Sequence, residues 1–404
     1  CGKQFSKLLS SQQVQAEADR VWCGVERCLF GNGKELHFKK LMDFDTIGGK
    51  SNKNGARFDL DAMYVNWLGL SLKCYLPKSE NSLSYVWESL KGKISYCNIK
   101  RLMFSSGWRY YAEIVVSGAA PTRVSIGTST MGIDPGVSTI AGVSEDACVL
   151  EELAPNAIQY EKKIQKISQR MDRSRRISNP NKYNEDGTIN RSNRDPWKYS
   201  KNYVKMCRLL KSLYRKKHAY IVDSHRELCN KLITIAKYFP VEKMHFQALQ
   251  KRAKETKRQE KKTEVKQKDG TVKVIRKYKR KKRFGRSINR RAPARFLLEL
   301  KRKAEAVGGV YAEVDTKEFK ASQYNHVTDT YEKIPLSQRE KEIGKRKVQR
   351  DLYSAFLIRN ADLDFKHPDR EKCEYEFEYF ANLQDQLILK MKESGLSMRQ
   401  CFGF

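Results

Sequence analysis

The stretch MGIDPGVSTIAGVS, Met131 to Ser144, sets one carboxylate, Asp134, at the end of an apolar run and surrounds it with Gly132, Pro135 and Gly136. By itself this reads as a hairpin turn, where Asp, Pro and Gly are all common, or as a functional acid left exposed at a strand end. Two further acids bear on the choice. Glu242 lies in a second apolar strand, VEKMHF, where a charge is costly unless it is partnered or bound to a cation. Asp351 opens a helix whose Leu352, Ala355, Phe356 and Ile358 have core spacing, where it also reads as a capping residue. Two acids from strands and one from a helix, in an α/β setting, are what a divalent-metal phosphodiesterase site requires. Hard oxygen ligands of this kind hold two Mg²⁺ or Mn²⁺ ions about 3.5–4 Å apart, one activating water and the other stabilising the leaving 3′-oxygen.

Composition points the same way. With 80 Lys and Arg against 47 Asp and Glu the formal charge is +33, far above the magnitude of about 2–8 that keeps a small domain soluble. A polyanion is the expected partner, and nucleic acid leads. At 404 residues and 40% hydrophobic content the chain can build two or three cores. No stretch approaches the roughly 18 apolar residues of a membrane span, and no signal-peptide pattern opens the sequence, so no membrane partner is expected and the expected location is intracellular, in the cytoplasm. The ten cysteines are scattered without a C-x-x-C pair, which reads as reduced packing residues rather than disulfides or a zinc site.

Along the chain, residues 4–28 read as one helix, the end of a larger helical element. Residues 36–123 alternate in short runs broken by Gly, Asn and Ser, which predicts antiparallel strands, most economically a small β-barrel. After Met131 the pattern becomes α/β, with long charged helices over about 157–177 and 198–238. The stretch 251–286 holds 18 Lys or Arg and 4 acids, with Asp269-Gly270 at the centre of a hairpin signal. Lys251, Arg252, Lys279, Arg280, Lys281, Lys282 and Arg283 in this basic arm are candidate nucleic-acid contacts, or otherwise a solvated charge run. VQRDLYSAFLIRN is helical by spacing, and a tail from Glu374 to Ser394 is an amphipathic helix.

GIDPGVSTIAGVS resembles the first active-site motif of RuvC-type ribonuclease H-like nucleases, in the form found in TnpB and in the related type V CRISPR effectors. VEKMHFQALQKRAK is similar to the second motif, which lays the family's Glu on Glu242, and RDLYSAFLI resembles the helix carrying the third acid, which falls on Asp351. The resemblance spans residues 97–360. It implies an α+β multidomain chain: a small wedge-type antiparallel β-barrel over 31–125, after the end of a recognition lobe at 1–30, then a RuvC ribonuclease H-like α/β domain over 126–404. That domain would carry a basic lid insertion at 251–286 and a target-loading insertion at 315–347. The family begins with a barrel strand and a helical lobe, and this sequence opens in what resembles the lobe's last helix, so the lobe is read as truncated.

The resemblance further implies catalytic, metal-binding roles for Asp134, Glu242 and Asp351, with Ser322 and Gln323 supporting the active site. The family's zinc ribbon is not expected: Asn325 and Thr328 stand where the first two thiolates would be, and no cysteine occurs from Asn230 to Lys372. Expected cofactors are two Mg²⁺ or Mn²⁺ ions without structural zinc. Expected partners are a guide RNA and double-stranded target DNA with a short flanking motif, as in RNA-guided effectors where base pairing supplies sequence choice. The expected function is RNA-guided DNA cleavage. Two alternatives stand beside it, a guided DNA-binding protein that does not cut and a guide-free RuvC-type resolvase. Transposon-borne and CRISPR-associated forms share these motifs, and the sequence leaves oligomeric state open.

Overall fold

A computed structural model describes residues 8–31, 33, 35–38, 44–122, 124–185, 187–250, 258–266, 271–278, 284–335, 337–397, 400 and 402. Contacts divide the chain into two units, Cys1–Arg123 with Lys162–Lys216, and Val124–Glu161 with Lys217–Phe404.

In the first unit, α1 (Ser11–Leu29) opens at a capping box, while residues 4–7 of the expected helix lie outside the described residues. Ser10 Oγ accepts from the Gln13 amide at 3.3 Å, and the Gln13 side chain accepts from the Ser10 amide at 2.9 Å, which satisfies two amide donors of the first turn. There follow β1 (Thr46–Gly48), β2 (Arg57–Asp59), β3 (Tyr64–Trp67), β4 (Leu70–Lys73), α2 (Glu80–Leu90), β5 (Lys93–Phe104) and β6 (Gly107–Ser117). The strands are antiparallel, as alternation predicts, and form two sheets, β1-β5-β6 and β2-β3-β4. Among the described residues no pairing joins the two, so the expected barrel is here a pair of three-stranded sheets. The unexpected α2 separates β4 from β5 in the chain. Ala56, Phe58, Val65, Leu90 and Cys97 fill the core they share.

In the second unit, β7 (Ser129–Thr130), β8 (Gly132–Pro135), β9 (Thr139–Val143) and β10 (Cys148–Glu152) lead into α3 (Ala157–Ser178) and α4 (Lys201–Ile235), which continue from one unit into the other. Next come β11 (Ala236–Glu242), α5 (Phe246–Gln250), a hairpin of β12 (Arg258–Lys266) and β13 (Val272–Tyr278), α6 (Gly285–Arg291), α7 (Pro293–Ala306), β14 (Val310–Val314) and α8 (Thr316–Phe319). Two small hairpins, β15 (Tyr324–Asn325) with β16 (Thr330–Tyr331) and β17 (Glu340–Ile343) with β18 (Arg346–Gln349), precede α9 (Arg350–Arg359) and α10 (Arg370–Glu393).

The main sheet runs β10-β9-β8-β11-β14, with β7 also paired to β11. β8, β9 and β10 are antiparallel neighbours, while β11 is parallel to both β8 and β14. Because side chains alternate between faces, Ile133, Phe239 and Val241 enter one buried cluster with Leu228 and Leu232 of α4 and Phe296 and Leu300 of α7. Ala141, Val143 and Val314 enter another with Leu352, Ala355 and Phe356 of α9 and Phe377 and Phe380 of α10. The result is a sheet covered on both faces. Each fully buried Leu or Phe contributes about 1.5–3 kcal/mol, so both layers fix the sheet's position.

Candidate functional site

Ile133 of β8 pairs with Val241 of the parallel strand β11. The next residue of each strand, Asp134 and Glu242, therefore stands beside the other at the carboxyl ends of the two strands, turned to the opposite face. That is the face α9 covers, since Ala141, the partner of Asp134, and Val314, the partner of Glu242, both belong to the cluster beneath it.

Gly132 lets α9 lie close. A Cβ there would stand 2.2 Å from the carbonyl oxygen of Ala355 and 2.3 Å from the amide nitrogen of Arg359, so no other residue fits without moving the helix. From Ala355 back to Asp351 is about one helical turn, roughly 6 Å, and from Gly132 on to Asp134 is two strand residues, about 6.6 Å. Seating Ala355 on Gly132 thus brings Asp351 to the end of the sheet where Asp134 and Glu242 meet. At the other end of α9, buried Arg359 donates to Glu376 Oε2 at 2.6 Å and to the Ser144 carbonyl at 3.3 Å, which fixes the helix along its axis.

The three acids act on one another electrostatically. Burial first, then the charges of Glu242 and Asp351 and a hydrogen bond with Glu242, push the Asp134 carboxyl well above the usual carboxylate range, with Arg350 opposing. Burial also raises Glu242, and the charge of Asp351 adds to it, while the hydrogen bond from Asp134 opposes. Each of the two strand carboxyls thus bears on the other's ionisation. A half-buried like-charge pair of this kind is relieved by a proton or by a cation.

Asp351 is held differently. Its Oδ1 accepts from Arg350 Nη2 at 2.9 Å and Nε at 3.2 Å, and its Oδ2 accepts from Arg339 Nη1 at 3.3 Å and Gln349 Nε2 at 3.4 Å. The helix cap is Gln349, whose Oε1 accepts from the Leu352 amide at 2.7 Å, so the capping role open to Asp351 in the sequence falls to its neighbour. With Asp351 turned onto these donors, the described residues contain no group of three His, Cys, Asp or Glu side chains placed to hold one ion. Sequence reasoning missed Arg339, Arg350 and Gln349. Only the adjacency of Arg350 to Asp351 could have signalled them.

The basic-arm residues Lys251, Arg252, Lys279, Arg280, Lys281, Lys282 and Arg283 lie outside the described residues, as does the Asp269-Gly270 turn, although the strands on either side of that turn are paired. Ser322 is exposed, and the hydrogen bonds of Gln323 are main-chain ones, to the Lys320 carbonyl at 2.9 Å and from the Glu332 amide at 2.9 Å. Neither Ser322 nor Gln323 has a described hydrogen bond to the three acids. His326 is buried against Tyr353, Phe356 and Phe377, with Nδ1 2.8 Å from Tyr353 Oη, and burial lowers it to about 4.

No protein-family model matches the chain, and no curated protein matches it. Among solved structures the chain is similar to a Cas12f1–sgRNA–target DNA complex seen by cryo-EM, at 12% identity over 70% of this chain and 48% of that one, with a TM-score of 0.42. It is also similar to a CRISPR-Cas12f ternary complex, at 15% identity over 72% of this chain and 49% of that one, with a TM-score of 0.31. The chain spans about half the length of the chains it matches.

Proposed function

We propose that the chain is an RNA-guided DNA endonuclease of the RuvC type, cutting phosphodiester bonds at the site formed by Asp134, Glu242 and Asp351. The observation that carries this reading is the convergence of the three acids, from β8, β11 and the first turn of α9, at one end of the mixed sheet. Their donor set is all oxygen, and a half-buried pair of carboxyls whose ionisation is disfavoured is chemically suited to exchange a proton for a hard divalent cation. Asp134 and Glu242 would hold the metal, and Asp351 would join them on release from its guanidinium partners. Mg²⁺ or Mn²⁺ held by these carboxylates would supply an activated water and stabilisation of the leaving 3′-oxygen.

The chain's own residues do the rest. Arg339, whose side chain is 45% exposed, sets positive charge beside the acids, where a phosphodiester must approach two or three negative groups. Gly132 and Arg359 hold α9 so that Asp351 keeps its place. No zinc is invoked for the 315–347 segment, in which Tyr324, His326 and Lys341 are buried and Lys341 donates to the Tyr324 carbonyl at 2.6 Å. The formal charge of +33 suits a protein that holds both a guide RNA and target DNA by their backbones.

The pairing of Asp351 with two arginines favours a second reading, a guided binder that does not cut. One experiment separates the two. The protein is purified with its co-purifying RNA, that RNA is sequenced, and a duplex matching it is offered with Mg²⁺. Cleavage by the wild type, with tight binding but no cleavage by Asp134→Ala, Glu242→Ala and Asp351→Ala, is the expected result. Binding without cleavage by the wild type would favour the second reading, and cleavage by Asp134→Ala would remove the site assignment.

A further inference from the structure

Within the first unit, α3 turns a row of cations outward. Lys162, Lys163, Lys166, Arg170 and Arg173 are exposed, while Ile164 and Ile167 are buried. At about 3.6 residues per turn the five cations fall within about 100° of the helix circumference and extend over about 16 Å. They stand three or four residues apart, the spacing at which like charges destabilise an isolated helix and at which a solvated face gains from alternating signs. The helix does not relieve them. Its only acids are Glu161, which pairs with Lys217 and Arg290, and Asp172, which pairs with Arg175 and Arg176. Among the described residues none of the five has an ion-pair partner.

The connection from α3 to α4, residues 179–200, is far longer than the roughly two to eight residues that usually join neighbouring helices, and its own side chains order it. Buried Asn179 donates to the Arg175 and Lys198 carbonyls at 2.9 and 2.8 Å and accepts from the Lys198 amide at 2.7 Å. Lys182, also buried, donates to the Asn193 carbonyl at 2.8 Å and lies over the Trp197 ring, as does Arg175. Ser200 Oγ is 3.1 Å from Ser174 Oγ of α3. Tyr199, between Lys198 and Ser200, is thereby fixed beside the end of the cationic row. It stacks on Tyr203 of α4 with ring centroids 4.6 Å apart and stays 50% exposed. Burying a lysine against a carbonyl and a ring is costly, and what it secures here is an exposed aromatic platform.

We propose that α3 and this platform bind a base-paired RNA stem that ends in unpaired nucleotides, with the cationic row along the stem's phosphates and Tyr199 under one unpaired base. Phosphates supply the negative charge that the helix itself lacks. The outward face of α3 carries Gln169 among its cations and no aromatic side chain, so it suits a stem whose bases are already paired, whereas a ring that stacks on a base needs one that is not. Folded RNA meets both conditions, since its stems are held by shape and backbone and its loop bases are splayed onto aromatic rings. A fully paired DNA duplex or RNA–DNA hybrid meets only the first. The inference rests on the proposed function for the source of the RNA, which is the guide's own constant stem, because a prefolded platform suits a partner that does not change from target to target.

The test uses the full chain, washed free of RNA at high salt, and a fluorescein-labelled RNA hairpin of ten base pairs closed by six unpaired uridines. Saturable binding is expected by anisotropy. Acetylation of Lys162, Lys163 and Lys166 by a succinimidyl ester, read by mass spectrometry, should slow at least fivefold on binding, while that of Lys91, 72% exposed, stays unchanged. Changing Lys162, Lys166, Arg170 and Arg173 together to Gln should lower the slope of log affinity against log salt by about three, so that a fourfold rise in salt costs the variant roughly 60-fold less affinity than it costs the wild type. Tyr199→Ala should weaken hairpin binding by roughly five- to 150-fold and leave a blunt RNA duplex of the same stem unaffected, and Tyr199→Phe should restore the hairpin. An unchanged salt slope in the four-site variant, or equal losses for hairpin and blunt duplex in Tyr199→Ala, would overturn the proposal. So would lysines that already react slowly before RNA is added, which would mean that another part of this chain covers the face. Equal or tighter binding of a DNA hairpin would reduce the contact to general attraction of a polyanion, and stronger protection of the lysines by an RNA–DNA hybrid, independent of Tyr199, would assign the face to the paired target; either result also overturns it. None of these readouts involves cleavage, so a wild type that fails to cut leaves them standing, and their failure leaves the carboxylate site untouched.

Discussion

Asp134 and Glu242 are adjacent carboxyls on neighbouring parallel strands, and burial together with mutual repulsion raises both. A carboxyl whose folded pKa lies above its unfolded value binds its proton more tightly in the folded state. The stability this gives is present at low pH and is lost as pH rises from the ordinary carboxylate range through the raised value, by about 1.4 kcal/mol for each unit of separation. The metal-free protein should therefore melt at lower temperature as pH climbs through that window, the Asp134→Asn variant should show a flatter dependence, and Mg²⁺ should restore the wild type at the upper end. Thermal midpoints measured against pH decide it, and parallel curves for wild type and variant would mean that the Asp134 carboxyl is not raised by folding. Gly132 is tested at the same scale. Its substitution by Ala sets a methyl group against main-chain atoms of α9, which cannot move aside as a flexible side chain can. The expected cost is about 1–3 kcal/mol, with a weakening of Mn²⁺ binding, read by electron paramagnetic resonance, that exceeds the loss expected from unfolding alone.

At the scale of elements, α9 carries the third acid, and both its ends are held by polar contacts. Gln349 caps the first turn and in turn takes the Gln384 side chain on its own amide at 2.7 Å. Two turns on, Arg359 is 4% exposed against Glu376 at 23%. Replacing Arg359 with Met leaves a partly buried carboxylate without its cation, a change expected to cost on the order of 2–4 kcal/mol. The double variant Arg359→Met with Glu376→Gln should recover part of that loss in urea denaturation, and no recovery would show that the pair is not coupled. These contacts were not legible in the sequence, which marks a helix by the spacing of Leu352, Ala355, Phe356 and Ile358 but not what its polar residues touch. The acids themselves were legible, because each interrupts an apolar pattern at an element's end. Element boundaries failed where two periods coincide. Ile233, Ala236 and Phe239 keep helical spacing across the point where α4 gives way to β11, so the sequence carries the helix to Tyr238 although the strand begins at Ala236. The β17–β18 hairpin hides in EKEIGKRKVQ, where only Ile343 and Val348 are buried apolar anchors and Gly344, at φ 56°, makes the turn. Alternation likewise gives the strands of the first unit but not which edges pair, since pairing is decided by partners distant in sequence.

For the whole molecule, the decisive quantity is charge. A surplus of 33 cations opposes compaction by self-repulsion and attracts polyanions over several ångströms. Many described ion pairs are exposed, such as Lys91 with Glu88 and Arg176 with Asp172, and pairs of that kind contribute at most about 1 kcal/mol each. An excess of this size suits the proposed function, in which phosphates are neutralised. Each phosphate neutralised on a duplex releases counterions and lowers the slope of log affinity against log salt by about 0.9, so six to ten contacts lose roughly 10³–10⁵ in affinity between 50 and 200 mM salt. On the proposed function, binding of duplex DNA should follow a slope in that range. Changing Lys279, Arg280, Lys281, Lys282 and Arg283 together to Gln, in the arm that follows the second acid, should reduce the slope by one to several units or slow cleavage at unchanged melting temperature. A slope and a rate both equal to those of the wild type would assign the arm to solubility alone and move the phosphate contacts to the basic faces of α3 and α4.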